Sequence, residues 1–185
     1  MKYLIAGLGN FGEEYSGTRH NIGFMILDAL AEDADFSPRR LADTFLLKHR
    51  GRTFLLIKPT TFVNLSGRAV HYWIKKEKIP LDRLLVVLDD LALPFGSLRL
   101  RARGGSGGHN GLDNIIQILG TQEFARLRFG IGNQFYSGQQ VGHVLGEWTE
   151  EEKPVLAEKI LKAAEIVLGF GTYGIEEAMN RYNKK

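Results

Sequence analysis

Apolar and polar positions along the chain alternate between two periods. Residues 3–8 (YLIAGL) form an unbroken apolar run through Gly7, the pattern of a strand buried on both faces. Ile22, Met25, Ile26, Ala29 and Leu30 then follow the i, i+3, i+4, i+7, i+8 spacing of an amphipathic helix. Residues 44–48 and 53–58 flank His49-Arg50-Gly51-Arg52 and read as a hairpin. Residues 66–76 read as a helix, and residues 84–88 (LLVVL) as the clearest buried strand, ending on Asp89-Asp90. Leu98, Leu100 and Ala102 alternate with Arg99, Arg101 and Arg103, a period-two strand with one apolar and one basic face. Leu127, Phe129 and Ile131 repeat the pattern, with Arg126 and Arg128 on the other face. A helix over 111–119 lies between these two strands. Thr149-Glu150-Glu151-Glu152 reads as a capping box opening a helix to about Leu168, with Pro154 pulling its start later. Ile175, Ala178, Met179 and Tyr182 mark a last short helix. The expected class is α/β: residues 1–185 as a single globular domain, a mixed twisted sheet flanked by helices.

Composition narrows the chemistry. The chain has 185 residues and no cysteine, which excludes a disulfide framework, a zinc ribbon, an iron–sulfur cluster and a thiol nucleophile. It contains no run near the ~20 apolar residues of a membrane span, and its opening residues are too short for a signal peptide, so a cytoplasmic protein is expected. The net charge of +3 hides a strong asymmetry. Residues 36–128 hold 16 bases against 7 acids, while residues 1–35 hold 2 against 6 and residues 129–185 hold 6 against 8. A basic middle is the electrostatic footprint of a polyanionic partner, set against the plainer reading of a solvated basic surface.

Three motifs fail on context. Gly7-Leu8-Gly9-Asn10-Phe11-Gly12 matches the dinucleotide fingerprint, but Glu13-Glu14-Tyr15-Ser16-Gly17 follows where a helix should receive the pyrophosphate. Gly104-Gly105-Ser106-Gly107-Gly108 matches a nucleophile elbow, but the strand before it carries three arginines and is not buried on both sides. None of the five histidines has a paired-ligand spacing, so neither a metal nor another cofactor is expected.

What remains is a set of polar islands at strand ends and loops: Gly9-Asn10, residues 18–21, residues 62–67, Asp89-Asp90 and residues 107–111. If the strands before Asn10 and Asp89 are parallel neighbours, both residues emerge at one carboxyl edge. Histidine with aspartate supplies a general base and its orienter. Asparagine amides can hold a carbonyl, an oxyanion or a water. With no obvious nucleophile, water is the attacker, and the inferred reaction is hydrolysis.

The islands resemble bacterial-type peptidyl-tRNA hydrolases. The matching stretches are GLGN at 7–10, EYSGTRHNIG at 14–23, KPTTFVNLSG at 58–67, LDDLALPFG at 88–96, GGSGGHNGL at 104–112, RLRFGIG at 126–132 and VGHVLG at 141–146. The resemblance implies cleavage of the ester joining a peptide to the terminal ribose of tRNA, recycling tRNA from abortive translation. It implies His20 as the base acting on water, Asp89 as its orienter and Asn10 as a third catalytic residue. Asn64, Asn110, Tyr15 and Phe62 would bind the substrate, and Arg99, Arg101 and Arg128 would face tRNA phosphates. The partner implied is peptidyl-tRNA, with no membrane, no metal and a monomeric chain. The sequence departs from the family pattern at Phe11, Val63, Ala92 and Ser106, which touch the surroundings of the substrate and leave His20, Asp89 and the three asparagines in place.

Overall fold

A computed structural model describes residues 1–183. Seven strands form one mixed sheet: β1 (Lys2–Gly7), β2 (Ser37–Arg39), β3 (Ala42–His49), β4 (Arg52–Pro59), β5 (Leu84–Asp90), β6 (Leu98–Arg101) and β7 (Ala125–Gly130). Their order is β2-β3-β4-β1-β5-β7-β6. The four central strands are parallel, and the outer pairings β2–β3, β3–β4 and β6–β7 are antiparallel. The parallel strands are the ones with near-continuous apolar runs, because helices cover both of their faces. Leu4, Ile5 and Ala6 of β1 and all five residues from Leu84 to Leu88 of β5 are fully buried. Each such leucine or isoleucine contributes about 1.5–3 kcal/mol of burial.

Among the described residues, six α-helices complete the fold: α1 (Ile22–Leu30), α2 (Ser66–Glu77), α3 (Asn110–Leu119), α4 (Gln140–Val144), α5 (Lys153–Tyr173) and α6 (Ile175–Tyr182). Ile26 and Leu27 of α1 join Ile166 and Phe170 of α5 over Ile5, Phe54, Leu85 and Val87. On the opposite face Val70 and Trp73 of α2 join Leu112 and Ile115 of α3 over Leu4, Leu55 and Val86. The helices that follow the parallel neighbours β1 and β4, α1 and α2, thus lie on opposite faces of the sheet. That divergence opens a crevice at the carboxyl edge between them, where ligands bind in open α/β sheets.

The hairpin expected around residues 49–52 is present. Its turn residues Arg50 and Gly51 both have positive φ, 48° and 75°, the conformation that matches strand twist in a two-residue loop. Two expectations shift. The Thr149–Glu152 box forms, with the Thr149 N–H donating to Glu152 Oε1 at 2.9 Å and the Glu152 N–H to Thr149 Oγ1 at 3.1 Å. It closes a turn ahead of the helix, which begins at Lys153 with Pro154 in its first turn and runs past Leu168 to Tyr173. Strand β6 stops at Arg101, so Arg103 lies beyond it. The outer edge of β6 is blunted by the Asn183 amide, which accepts from the Leu100 N–H at 2.9 Å and donates to the Leu100 carbonyl at 2.8 Å.

Candidate active site

Gly7 of the dinucleotide-like motif and Gly23 of α1 have a packing role. A Cβ on Gly23 would sit 2.5 Å from the Leu8 nitrogen and 2.6 Å from the Val87 carbonyl oxygen. A Cβ on Gly7 would sit 2.5 Å from the Gly23 carbonyl oxygen. Without side chains, the first turn of α1 lies directly on the ends of β1 and β5. The residues just before α1, a 3₁₀ turn over Arg19–Asn21, are thereby set against the end of β5. His20 sits in that turn. Its Nδ1 lies 2.9 and 3.0 Å from the two carboxylate oxygens of Asp89. Asp89 is the sixth residue of β5 and is 4% exposed.

Sequence reading named the island at 107–111 but gave His109 no role. In the fold His109 Nε2 reaches Asp89 Oδ1 at 2.8 Å. Its Nδ1 accepts the backbone N–H groups of Gly111 (3.1 Å) and Leu112 (3.3 Å), capping α3. A nitrogen that accepts carries no proton, so the ring proton is on Nε2 and points at Asp89. The cue in the sequence was a polar residue directly before an apolar helical run, the N-cap position. His20 is arranged the other way round. Its Nδ1–H faces Asp89, and among the described residues Nε2 has no partner, leaving its lone pair open to the cavity. The two rings are 5.0 Å apart.

Three ligand-type atoms of His20, Asp89 and His109 lie within 4.8 Å of one another, a cluster that the histidine spacings did not reveal. The hydrogen-bond pattern does not suit a metal. His109 Nδ1 is occupied by two N–H donors, so coordination through Nε2 would require an imidazolate. The same pattern explains the electrostatics. Burial disfavours the imidazolium of His20, but the hydrogen bond to Asp89 and its negative charge outweigh it and lift His20 above its ordinary value near 6.5. Burial alone would raise Asp89. The positive N–H edge of His109 and its hydrogen bond, followed by those of His20, win and hold the carboxyl well below the usual carboxylate range.

His20, Asp89, His109 and Asn110 line one cavity of about 350 Å³, with Arg128 on its rim and Val141 and Val144 of α4 as an apolar wall. The helix α4 is tied to the His20 loop by its neighbour, Arg19. The Arg19 backbone N–H donates to the Gly146 carbonyl at 3.0 Å. The Arg19 guanidinium donates to the His143 carbonyl at 3.1 Å and to Glu152 at 2.9 Å, and lies 5.6 Å from the Trp148 ring.

Asn10 is buried and lines an adjoining hollow of about 270 Å³ with Phe11, Asn21 and Phe24, rather than the His20 cavity. Its backbone N–H donates to Asn21 Oδ1 and its carbonyl accepts from Asn21 Nδ2, both at 2.9 Å. The Asn10 side-chain oxygen accepts the Val63 N–H at 2.8 Å, which leaves the NH₂ end as the free part of the amide. Asn64 is exposed beside Val63, and Asn110 is exposed at the start of α3. Phe62 is 51% exposed and packs on Phe11 with ring centroids 5.3 Å apart. Tyr15 ends a 3₁₀ turn and borders neither hollow.

The basic strand face differs most from the reading of the sequence. Register pairs Arg99 with Arg128 and Arg101 with Arg126, so all four share one side of the sheet. Arg126 is nevertheless fully buried and faces no solvent. Its guanidinium donates to the carbonyls of Gly104, Gly105, Gln122 and Phe124 and lies 4.6 Å from the Phe124 ring. Burial, reinforced by the charge of Arg128, pulls it down to about 10, so it stays charged at neutral pH. Arg126 is therefore a clamp on the glycine loop that leads to His109. Arg128 shares that work through the Gly105 carbonyl at 2.9 Å and pairs with Asp90 at 3.5 Å. Arg99 donates to the Asn183 carbonyl at 3.1 Å, Arg103 pairs with Glu123 at 3.8 Å, and Arg101 is exposed.

The structure defines an α/β protein with a histidine–aspartate crevice at the carboxyl edge of its parallel strands. Residues 4–185 match the family model described as peptidyl-tRNA hydrolase. The chain is 54% identical over 187 residues to the peptidyl-tRNA hydrolase of Phocaeicola vulgatus, covering all of both chains. It is 46% identical over 184 residues to that of Caldanaerobacter subterraneus subsp. tengcongensis, covering 98% of this chain and 99% of the relative. The crystal structure of peptidyl-tRNA hydrolase from Acinetobacter baumannii superposes with a TM-score of 0.91 at 34% identity, covering 98% of this chain and 94% of the other. The chain belongs to the peptidyl-tRNA hydrolase family. Among the described residues, no helix is long and apolar enough to cross a membrane.

Proposed function

We propose that the chain hydrolyses the ester between peptide and tRNA in the cytoplasm, with His20 activating water. The observation that carries this reading is the His20 ring, whose Nδ1 is held by the buried carboxylate of Asp89 while Nε2 faces the cavity with no partner among the described residues. Nε2 takes a proton from water as the oxygen attacks the ester carbonyl. The tetrahedral oxyanion then collapses, the bond to the ribose oxygen breaks, and the imidazolium returns its proton to that oxygen. Asp89 keeps the productive tautomer and stabilises the transient cation.

The asparagines act as amide donors and acceptors around this centre. The free NH₂ end of Asn10 suits a peptide carbonyl in the adjoining hollow. Asn110 beside His20 suits the water or the acceptor end, and exposed Asn64 and the Phe62 face suit the substrate at the mouth. Arg128 lines the cavity, and Arg99 and Arg101 lie on the neighbouring strand β6; guanidinium groups there suit phosphate, pairing with it without reading sequence. The chain acts as a monomer and uses no metal.

The test is turnover of an N-blocked aminoacyl-tRNA by purified protein, followed as release of the blocked amino acid. Multiple turnovers are expected. No release above background, with RNA binding retained, would make the chain a non-catalytic RNA-binding relative.

A further inference from the structure

The fold carries a second basic surface, away from β6 and β7. On α2, residues Arg68, His71, Tyr72, Lys75 and Lys76 recur at i, i+3, i+4, i+7 and i+8, which places them on one helix face. Arg40, on the connection between β2 and β3, joins them along one open groove. Arg40, Arg68, His71, Lys75 and Lys76 are all exposed. Among the described residues, none of the four arginines and lysines lies within 4.0 Å of a carboxylate. The β6–β7 face is the reverse, since most of its guanidinium groups are engaged by carbonyls or acids.

The free cations are held in place. Trp73 Nε1–H donates to the Arg40 carbonyl at 3.0 Å and pins that connection to α2. The Arg40 guanidinium lies 5.0 Å from the centre of the Tyr72 ring, and Lys76 Nζ lies 5.8 and 5.5 Å from the Tyr72 and Trp73 rings. Charges fixed on aromatic rings lose less freedom when a ligand arrives. Helix stability does not account for the pattern. Lys75 and Lys76 suit the negative end of α2, but Arg68 lies in the first turn, where the helix dipole opposes a cation and no acidic residue offsets it. Arg40 is not on the helix.

The surface is continuous with the catalytic edge. The Thr60 N–H donates to the Leu41 carbonyl at 2.9 Å, tying the Arg40 connection to the segment that carries Phe62. The helix begins two residues after Asn64. From Arg68 to Lys76 the stripe extends about 12 Å at 1.5 Å per residue. It runs along α2, which packs over β1 and β4 rather than over β7, the strand of Arg128.

We infer that the α2 face with Arg40 is a second phosphate-binding surface, whose partner is the backbone of RNA engaged at the catalytic mouth. This rests on the peptidyl-tRNA reading, which already brings RNA to that edge. A run of free cations along one line suits a polyanion with regularly spaced charges, and phosphate contact here adds affinity without sequence preference.

The test uses the triple variant Arg40→Gln, Lys75→Gln, Lys76→Gln, with the double Lys75→Gln, Lys76→Gln in reserve should the triple fail to fold. Fluorescence anisotropy measures affinity against salt for two RNAs, an elongator tRNA and an unrelated hairpin of equal length. Hydrolysis of a short oligonucleotide carrying an N-blocked 3′-aminoacyl ester, too small to reach α2, is followed in parallel. About tenfold weaker tRNA binding at low salt is expected, with a log–log salt slope smaller by about 2 to 3 and unchanged hydrolysis of the short substrate. Weakening on tRNA alone identifies the surface as a substrate grip; weakening on both RNAs identifies a general RNA surface. Unchanged affinity and slope on both RNAs would overturn the inference. So would loss of polyglutamate binding with RNA binding intact, which would mark a face for acidic proteins. If the parent itself fails to hydrolyse the short substrate, the catalytic reading falls, while the salt slopes still decide the surface.

Discussion

Two loops bring an imidazole to the same carboxylate, and they use it in opposite ways. The loop before α1 presents His20 with Nδ1 on Asp89 and Nε2 free. The glycine loop before α3 presents His109 with Nε2 on Asp89 and Nδ1 bound to two backbone N–H groups. His109 has no lone pair left for a substrate proton, so its geometry makes it a support. His20 keeps one and can act as a base. Residue type and proximity to the acid are nearly the same for both. The difference lies in whether backbone N–H groups occupy the ring nitrogen that Asp89 leaves free.

The largest expected effect is on His20. His20→Ala should lower kcat by about 10³-fold, within the range of general-base catalysis, while tRNA affinity stays within a factor of about two. Single-turnover rates and equilibrium binding on one preparation separate the two quantities. A comparable loss of binding would remove the contrast between base and support. Asp89→Asn comes next. An amide can present an N–H to the ring and turn its tautomer, so about 10²- to 10³-fold loss in kcat is expected. The parent kcat/KM should rise with pH through the raised pKa of His20, above 6.5, because only the neutral ring accepts a proton. In Asp89→Asn that limb should move to lower pH, since the group that lifts His20 is gone. A limb that stays in place would assign it to another residue.

The elements that could be read from sequence are those whose pattern the covering helices explain. Residues 84–88 are apolar at every position because helices lie on both faces, and β5 is found there. Residues 22–30 show a helical stripe because one side faces α5. The basic alternation misled at Arg126. Alternation identifies a face of the sheet but not what covers it, and a loop of glycine carbonyls can bury a guanidinium as an apolar helix cannot. His109 was missed for a related reason. Its partners are Asp89, distant in sequence, and two backbone N–H groups, which no side-chain spacing records. Asn10 and Asp89 were legible together because β1 and β5 are parallel neighbours.

His109→Asn separates the two roles of the supporting histidine. Asparagine is a good N-cap, so α3 should keep its cap and the melting temperature should change little. The shorter amide does not reach Asp89 as the imidazole does. About tenfold lower kcat is expected, with KM nearly unchanged, because Asp89 loses one of the two groups that orient it. His109→Ala removes the cap as well and should cost about 1 kcal/mol of stability in a urea melt. If Asn and Ala lower kcat equally but only Ala destabilises, capping and positioning are distinct functions of one ring. If Asn destabilises as much as Ala, the hydrogen bond to Asp89 is mainly structural and His109 drops out of the site.

The smallest effect concerns stability, and here the sign distinguishes His20 from the carboxylate that holds it. His20 has a raised pKa in the fold, so the imidazolium is bound more tightly in the native chain than in the unfolded one. That contribution is fully present below the unfolded value near 6.5 and disappears as pH rises through the higher native value. Asp89 is depressed, so its contribution is present above the unfolded carboxylate range and fades only in acid, as pH falls through the native value. Urea melts taken at intervals across neutral pH should therefore show the parent losing stability as pH rises past 6.5, and His20→Ala should lack that slope. If the slope persists in His20→Ala, the proton taken up on folding belongs to another group. The Asp89–His20 pair would then order the ring without charging it.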